Sequence, residues 1–267
     1  MKKTKIFILF IIFFVFTNKI IFADSLNVYS FIQKTAFTNQ AKQFNKSLWE
    51  PYSYGINKRI ELQSFLLGNF IMPNISVKIN LIKKNNFYLS SQHSINYFTP
   101  WLKFWQGNGT GAIISPETDI PKLFLIENGI FVSYLINNKL LISSNLNMTL
   151  ALGTKINRLY SIDMPIIYNR FAPAFENAVF SLKTNLQGKI TKRFNYMATF
   201  DYYYINSNQF SNFIETSIIG VFAKSTRFKF CLGPKLVYGQ YPFGNQINIL
   251  PYFNIIFNGS IKSKKTR

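Results

Sequence analysis

Apolar and polar residues alternate with a period of two through most of the chain after residue 58. Between Lys189 and Asn206, one face carries Phe194, Tyr196, Ala198, Phe200, Tyr202 and Tyr204, and the other carries Arg193, Asn195, Met197, Thr199 and Asp201. A helix would mix these sets, whereas a strand separates them. The same separation holds in 139–152, where Leu140, Ile142, Leu146, Met148, Leu150 and Leu152 oppose Ser143, Asn145, Asn147 and Thr149. The pattern predicts ten strands, over 58–68, 75–83, 87–98, 124–137, 139–152, 177–187, 189–205, 213–223, 226–238 and 247–258. Most exceed the ~5–6 residues of a soluble strand and approach the ~9–11 that cross a bilayer at a tilt. Connections alternate too. Those at 83–86, 137–138, 187–188 and 223–226 are short, and those at 69–74, 99–123, 153–176, 206–212 and 239–246 are longer.

The first 57 residues read differently. Met1 to Lys5 is basic and Ile6–Phe16 is an unbroken apolar run, the layout of an export signal ending at Ala23. The run is too short for the ~20 residues of a spanning helix. Losing Lys2, Lys3, Lys5 and Lys19 with residues 1–23 takes the formal charge from +20 to +16. In 24–57, Phe37, Ala41, Phe44 and Leu48 fall on one helical face. That spacing predicts a short amphipathic helix on a membrane interface. A helix inserted as a plug, or an extra pair of strands making twelve, fits the same residues.

Composition sharpens the picture at three points. Aromatic residues make up 18% of the 267 residues and charged residues only 15%, against the usual ~25% charged. One cysteine and one histidine exclude a disulfide framework and any site that needs two histidines. The thirty basic residues are mostly lysine and are spread along the chain, not gathered into the arginine-rich patch of a nucleic-acid binder.

Long alternating strands, short turns at one end and loops at the other resemble the small, single-chain bacterial outer-membrane β-barrel proteins. The resemblance covers 58–258 as a pattern and rests on no motif. The last segment, Ile247-x-Ile249-x-Pro251-x-Phe253-x-Ile255-x-Phe257, resembles the aromatic-ended strand read by the barrel-assembly machinery, although Pro251 and the tail after Asn258 depart from it. The resemblance implies an antiparallel transmembrane β-barrel of about ten strands, between eight and twelve, in the outer membrane. The chain then divides into a signal peptide 1–23, a periplasmic segment 24–57, a barrel 58–258 and a basic tail 259–267. Its partners would be outer-membrane lipid, the assembly machinery and small anionic solutes; no cofactor or nucleic acid is implied.

In such a barrel the polar faces line the lumen. They place Arg59, Lys78, Lys183, Arg193, Arg227, Lys229 and Lys235 there, with Glu61, Glu127, Asp201 and Glu215. Seven basic and four acidic groups predict either a lumen plugged by ion pairs or a narrow, anion-preferring pore. Lys83, Lys84, Lys139, Lys189, Lys192 and Lys224 fall at the short turns.

Catalytic constellations are weak. Ser91-Gln-His93-Ser94 holds the one histidine, but neighbours on a strand point to opposite faces, so Ser94 is out of its reach. Ser91 shares the face of His93, which also carries Leu89, Ile95 and Tyr97 and so turns toward lipid. Asp24, Asp119, Asp163 and Asp201 lie apart from it. Gly107 to Gly111 follows no strand–helix unit and reads as a loop. Glu117, Asp119 and Asp163 lack the spacing of a calcium loop. The prolines of Tyr160–Ala174 predict an ordered segment, either folded inward as a constriction or rigid on the surface. The expectation is a non-enzymatic envelope protein. A barrel enzyme acting on envelope lipid and a secreted soluble β-protein that binds a partner are the alternatives.

Overall fold

A computed structural model describes residues 34–66, 68–108, 114–153, 165–176, 178–206, 212–225, 227–241 and 244–260. The export signal and the basic residues after Ser260 lie outside these. Twelve antiparallel strands close a barrel, each hydrogen-bonded to the next and β1 to β12. They are β1 Gln43–Ser47, β2 Tyr52–Gly55, β3 Ile60–Ser64, β4 Asn74–Lys84, β5 Phe87–Tyr97 and β6 Leu123–Asn137. Then follow β7 Leu140–Gly153, β8 Ala178–Lys189, β9 Phe194–Ile205, β10 Asn212–Ala223, β11 Phe228–Tyr241 and β12 Gly244–Ser260. Closure leaves no free edge at the level where β1 meets β12, with Gln43 opposite Ser260 and Ser47 opposite Ile256.

The count is twelve, not ten, and the barrel begins at Gln43, not at residue 58. The helical reading of Phe37, Ala41, Phe44 and Leu48 is overturned. Gln43–Ser47 is a strand that buries Asn45 and turns Lys46 out to solvent. The edge of β12 needs a partner there, and pairing it satisfies backbone groups that a surface helix would leave open. The connection expected at 239–246 contracts to the two residues between Tyr241 and Gly244, where Gly244 adopts φ 113°, a conformation glycine tolerates.

Turns β2–β3, β4–β5, β6–β7, β8–β9 and β10–β11 lie at one end with both barrel termini; call it the turn end. Three of these turns share one construction. Asn57, Thr191 and Ser225 each accept, on a side-chain oxygen, the backbone N–H groups two and three residues on. Each thereby ends its hairpin with an arginine in third place: Arg59, Arg193 and Arg227. The longer connections occupy the opposite, loop end.

Polarity is inverted relative to a soluble barrel. Outward residues form a continuous exposed apolar band, with Ile218 70%, Leu146 59%, Leu232 56% and Ile130 52% exposed. Phe87, Tyr134, Phe194, Phe222 and Phe257 ring it at the turn end, and Phe124, Phe180, Tyr204 and Tyr238 toward the loop end. The inward faces bury Ser90, Ser133, Ser143, Asn145, Asn147 and Asn185. Such a surface far exceeds the few hundred Å² of apolar patch that a soluble monomer exposes.

Candidate functional site: a plugged, charge-paired lumen

Among the described residues, two pieces of chain enter the barrel. The first is the segment 34–39. Ala36 N–H donates to Ser133 Oγ at 2.7 Å, and Asn185 Nδ2 donates to the Lys34 carbonyl at 2.9 Å. Lys78 donates to the Thr35 carbonyl and Ser90 to that of Ala36. Asn39 N–H donates to Glu61 Oε2 at 2.6 Å. Five strands (β3, β4, β5, β6 and β8) thus hold one irregular segment, and each buried backbone group met is one that water no longer needs to satisfy. Phe37 packs edge-on against Tyr88, ring centroids 4.4 Å apart, beside Phe131, Leu135 and Leu141. Gly55 makes the approach possible, because a Cβ there would lie 2.1 Å from the Gln40 carbonyl oxygen. Residues 34–39 thus occupy the lumen as irregular chain with bends at 34–36, not as an inserted helix.

The second piece is the β7–β8 connection, of which 165–176 folds inward as α2 (Ile167–Phe171) and α3 (Pro173–Glu176). Tyr168, Phe171, Ala172 and Ala174 pack with Leu123, Val179, Ile205, Phe213, Val237 and Tyr241 of the strands. Phe98 and Leu102, at the start of the β5–β6 connection and its helix α1 (Thr99–Phe104), complete this apolar cap. Of the two readings of this proline-bounded loop, the constriction is the one the fold adopts. Pro173 starts α3, where its missing N–H costs nothing.

Beneath the cap, α2 lowers Arg170 onto Glu215. Its guanidinium donates to both carboxylate oxygens, at 2.7 and 3.0 Å, and to Tyr203 Oη at 3.3 Å. Asn169 Nδ2 adds a bond of 2.8 Å, and Lys235 pairs with Glu215 from the neighbouring strand. Glu215 is fully buried, so its charge depends on these partners. Asp201 stands opposite both Lys183 and Glu215 in the ladders. Lys78 stands opposite Glu61. Lys34 Nζ lies 3.4 Å from Glu50, whose carboxylate holds the Lys34 ammonium well above its ordinary pKa.

Of the residues expected in the lumen, Glu61, Lys78, Asp201, Glu215 and Lys229 are buried on inward faces, and Glu127, Lys183 and Lys235 line the cavity in part exposed. Arg59 is exposed at the turn-end mouth of the cavity. Arg193 and Arg227 do not enter it. They have the inward phase but sit in hydroxyl-capped turns before their strands begin, exposed on the rim. Arg170, Lys34 and Glu50 belong to the interior although strand phase did not point to them. An arginine amid Ile166, Tyr168 and Phe171 was the one available signal. His93 is exposed on the outer wall with Nδ1 2.7 Å from Asn128 Oδ1. Among the described residues no three Cys, His, Asp or Glu side chains converge on a metal position.

A cavity of about 1900 Å³ remains, running from Arg59 and Lys83 at the turn end past Lys78, Glu127 and Lys183 to the underside of the cap. Away from the mouth, Lys34, Lys78, Arg170, Lys183, Lys229 and Lys235 stand against Glu50, Glu61, Glu127, Asp201 and Glu215, so the described interior is within one charge of neutral. The basic surplus lies on the rim.

No family model matches the sequence, and no curated protein does. Solved structures similar to it are bacterial outer-membrane β-barrel proteins. In-vitro folded OmpT, an outer membrane protein of Vibrio cholerae, is 8% identical with a TM-score of 0.44 over 78% of this chain and 62% of its own. The outer membrane channel DcaP of Acinetobacter baumannii is 9% identical, TM-score 0.37, over 91% and 68%. The CymD monoaromatic hydrocarbon channel is 8% identical, TM-score 0.43, over 80% and 72%. The chain thus spans about three-fifths of the length of the OmpT structure, and its fold is an antiparallel, closed twelve-stranded barrel.

Proposed function

We propose that the protein is a non-enzymatic bacterial outer-membrane barrel whose lumen is a narrow, largely closed conduit for small solutes. The inverted polarity carries this reading: the apolar faces of the strands point out and the Ser, Asn and charged faces point in. Hydrocarbon requires such an exterior, and water penalises it. The turn end then faces the periplasm and the loop end the outside. Exposed Arg59, Lys83, Arg193 and Arg227 on the periplasmic rim favour anions at that mouth, while the paired charges within give little further selection.

Planar-bilayer conductance tests this. The mature chain is expected to show small or rare steps. A variant lacking residues 34–39 should show steps several-fold larger, as expected when a barrel of this width loses a segment filling its interior. The larger steps should favour anions. Equal conductance in the two proteins, each folded by heat-modifiable gel mobility, would contradict a segment that occludes the lumen.

A further inference from the structure

The barrel wall is not of even height. The β11–β12 ladder runs to Tyr241 opposite Gly244. On its other edge, β12 finds β1 only as far as Ile256, with one more bond from Leu48 N–H to the Ile255 carbonyl. The β1–β2 ladder ends at Asn45 opposite Ser53, and β3 leaves β4 at Gln63 opposite Ser76. Three consecutive short strands therefore leave a notch on the loop-end side. One bank is the edge of β12 from Ile247 to Phe253, roughly 20 Å at the strand rise, to which no described residue is paired. The other is the β3–β4 connection with Phe65 and Met72.

The sequence builds this gap. Asn254 Oδ1 accepts from Ser47 Oγ at 2.9 Å and from Leu48 N–H at 3.2 Å, so a side chain takes the place of further β1 pairing. Pro51 then turns the chain back. On β12, Ile255 directs its backbone toward β1, so by alternation Phe253, Pro251, Ile249 and Ile247 do the same. Pro251 has no N–H to offer that edge. A second strand adding there would lose a ladder bond at mid-edge. The residue that fits poorly in a paired strand fits here.

The notch connects two environments. Outward Pro251 and Phe253 border the same cavity as inward Leu250 and Tyr252, so that cavity reaches round the β12 edge. Trp49, edge-on to Phe253 with centroids 5.9 Å apart, forms the lower lip. Ile249 and Ile247, 73% and 67% exposed, continue the lip into the outer apolar band. Behind the edge lie Tyr252, Lys34 and Glu50 and the water-accessible lumen. Unpaired backbone at membrane depth is tolerated only where it meets protein or a wet cavity. The axial exit, by contrast, is covered by the apolar cap of α1, α2 and α3.

From this geometry we propose a lateral window in the outer half of the wall, through which the hydrocarbon chain of an amphiphile passes from the membrane into the lumen. The apolar lip receives the chain, and the hydrated edge receives the polar end. This rests on the membrane reading above.

The test uses the full mature chain with Cys231→Ser, folded in vesicles, carrying one cysteine labelled with a small thiol-reactive fluorophore. The substitutions are Leu146→Cys on the outer wall, Leu250→Cys inside at the window, and Thr149→Cys inside on the opposite wall. The quenchers are phospholipid brominated on its acyl chains and, separately, brominated fatty acid in plain vesicles. Quenching at position 250 should be within about twofold of that at 146, with none at 149, because only the window lets chains past the wall. Quenching by the phospholipid identifies bilayer lipid as the occupant, and quenching by the fatty acid alone identifies a free amphiphile. Position 146 quenched while 250 behaves like 149, both bright or both quenched, would overturn the window and leave the membrane reading standing. Position 146 unquenched would overturn both.

Discussion

Replacing Glu215 with alanine is expected to destabilise the barrel by about 3 kcal/mol, the lower end of what removing one partner of a buried ion pair costs. The carboxylate accepts from Arg170, Asn169 and Lys235 and is itself fully buried. Without it, Lys235 is left with a charge that is only 13% exposed. Arg170, 42% exposed to the cavity, keeps some hydration, which is why the lower figure applies. The loss should also free the cap, because Arg170 is the charged tether of α2 to the wall. Urea titration in vesicles gives the stability, and limited proteolysis at 165–176 reads the release. Glu215→Gln keeps the shape and several hydrogen bonds, so its loss should be smaller and its cap less exposed. Equal stability of Glu215→Ala and the parent would show that the cluster does not hold the cap.

Leu146→Arg is the second large effect. Leu146 lies on the outer wall of β7, between Ile130 of β6 and Leu182 of β8 in the ladders, and all three are exposed. In a bilayer an arginine near mid-depth on this face should cost about 2–4 kcal/mol of folding free energy. In water the same change at an exposed apolar site should stay within about 0.5 kcal/mol. Folding titrations of the variant and parent in phospholipid vesicles separate these. Lys192→Arg on the turn-end rim, far from the apolar band, should change nothing in the same assay.

The ten strands from β3 to β12 were legible: all but β3 are long enough to repeat their alternation several times, and both faces agree along the ladder. The two short strands before them were not. Tyr52–Gly55 has room for only two turns of the pattern, and Gln43–Ser47 little more. The helical spacing of Phe37, Ala41, Phe44 and Leu48 joins residues with separate tasks: Phe37 anchors the inner segment against Tyr88, while Phe44 belongs to β1. Alternation also says which way a side chain points but not where its strand stops. Arg193 and Arg227 are in phase, yet Thr191 and Ser225 fold the chain into turns that leave them on the rim. Phase has nothing to say about Arg170, Lys34 and Glu50, which reach the lumen from outside the strands. They add Glu50 and two cations to an interior whose strand charges already balance, because Arg59, Arg193 and Arg227 stay at the mouth and rim. Pro251, discordant in a paired last strand, falls on the part of β12 to which no described strand pairs on the β1 side.

A barrel exterior built for hydrocarbon is tested most directly by where the denatured mature chain folds. Dilution from urea into phospholipid vesicles, followed by far-ultraviolet circular dichroism and unheated gel mobility, should give a β-rich, compact species that shifts on boiling. Dilution into plain buffer should give aggregates. A β-rich, soluble monomer in buffer that ignores the vesicles would contradict the account.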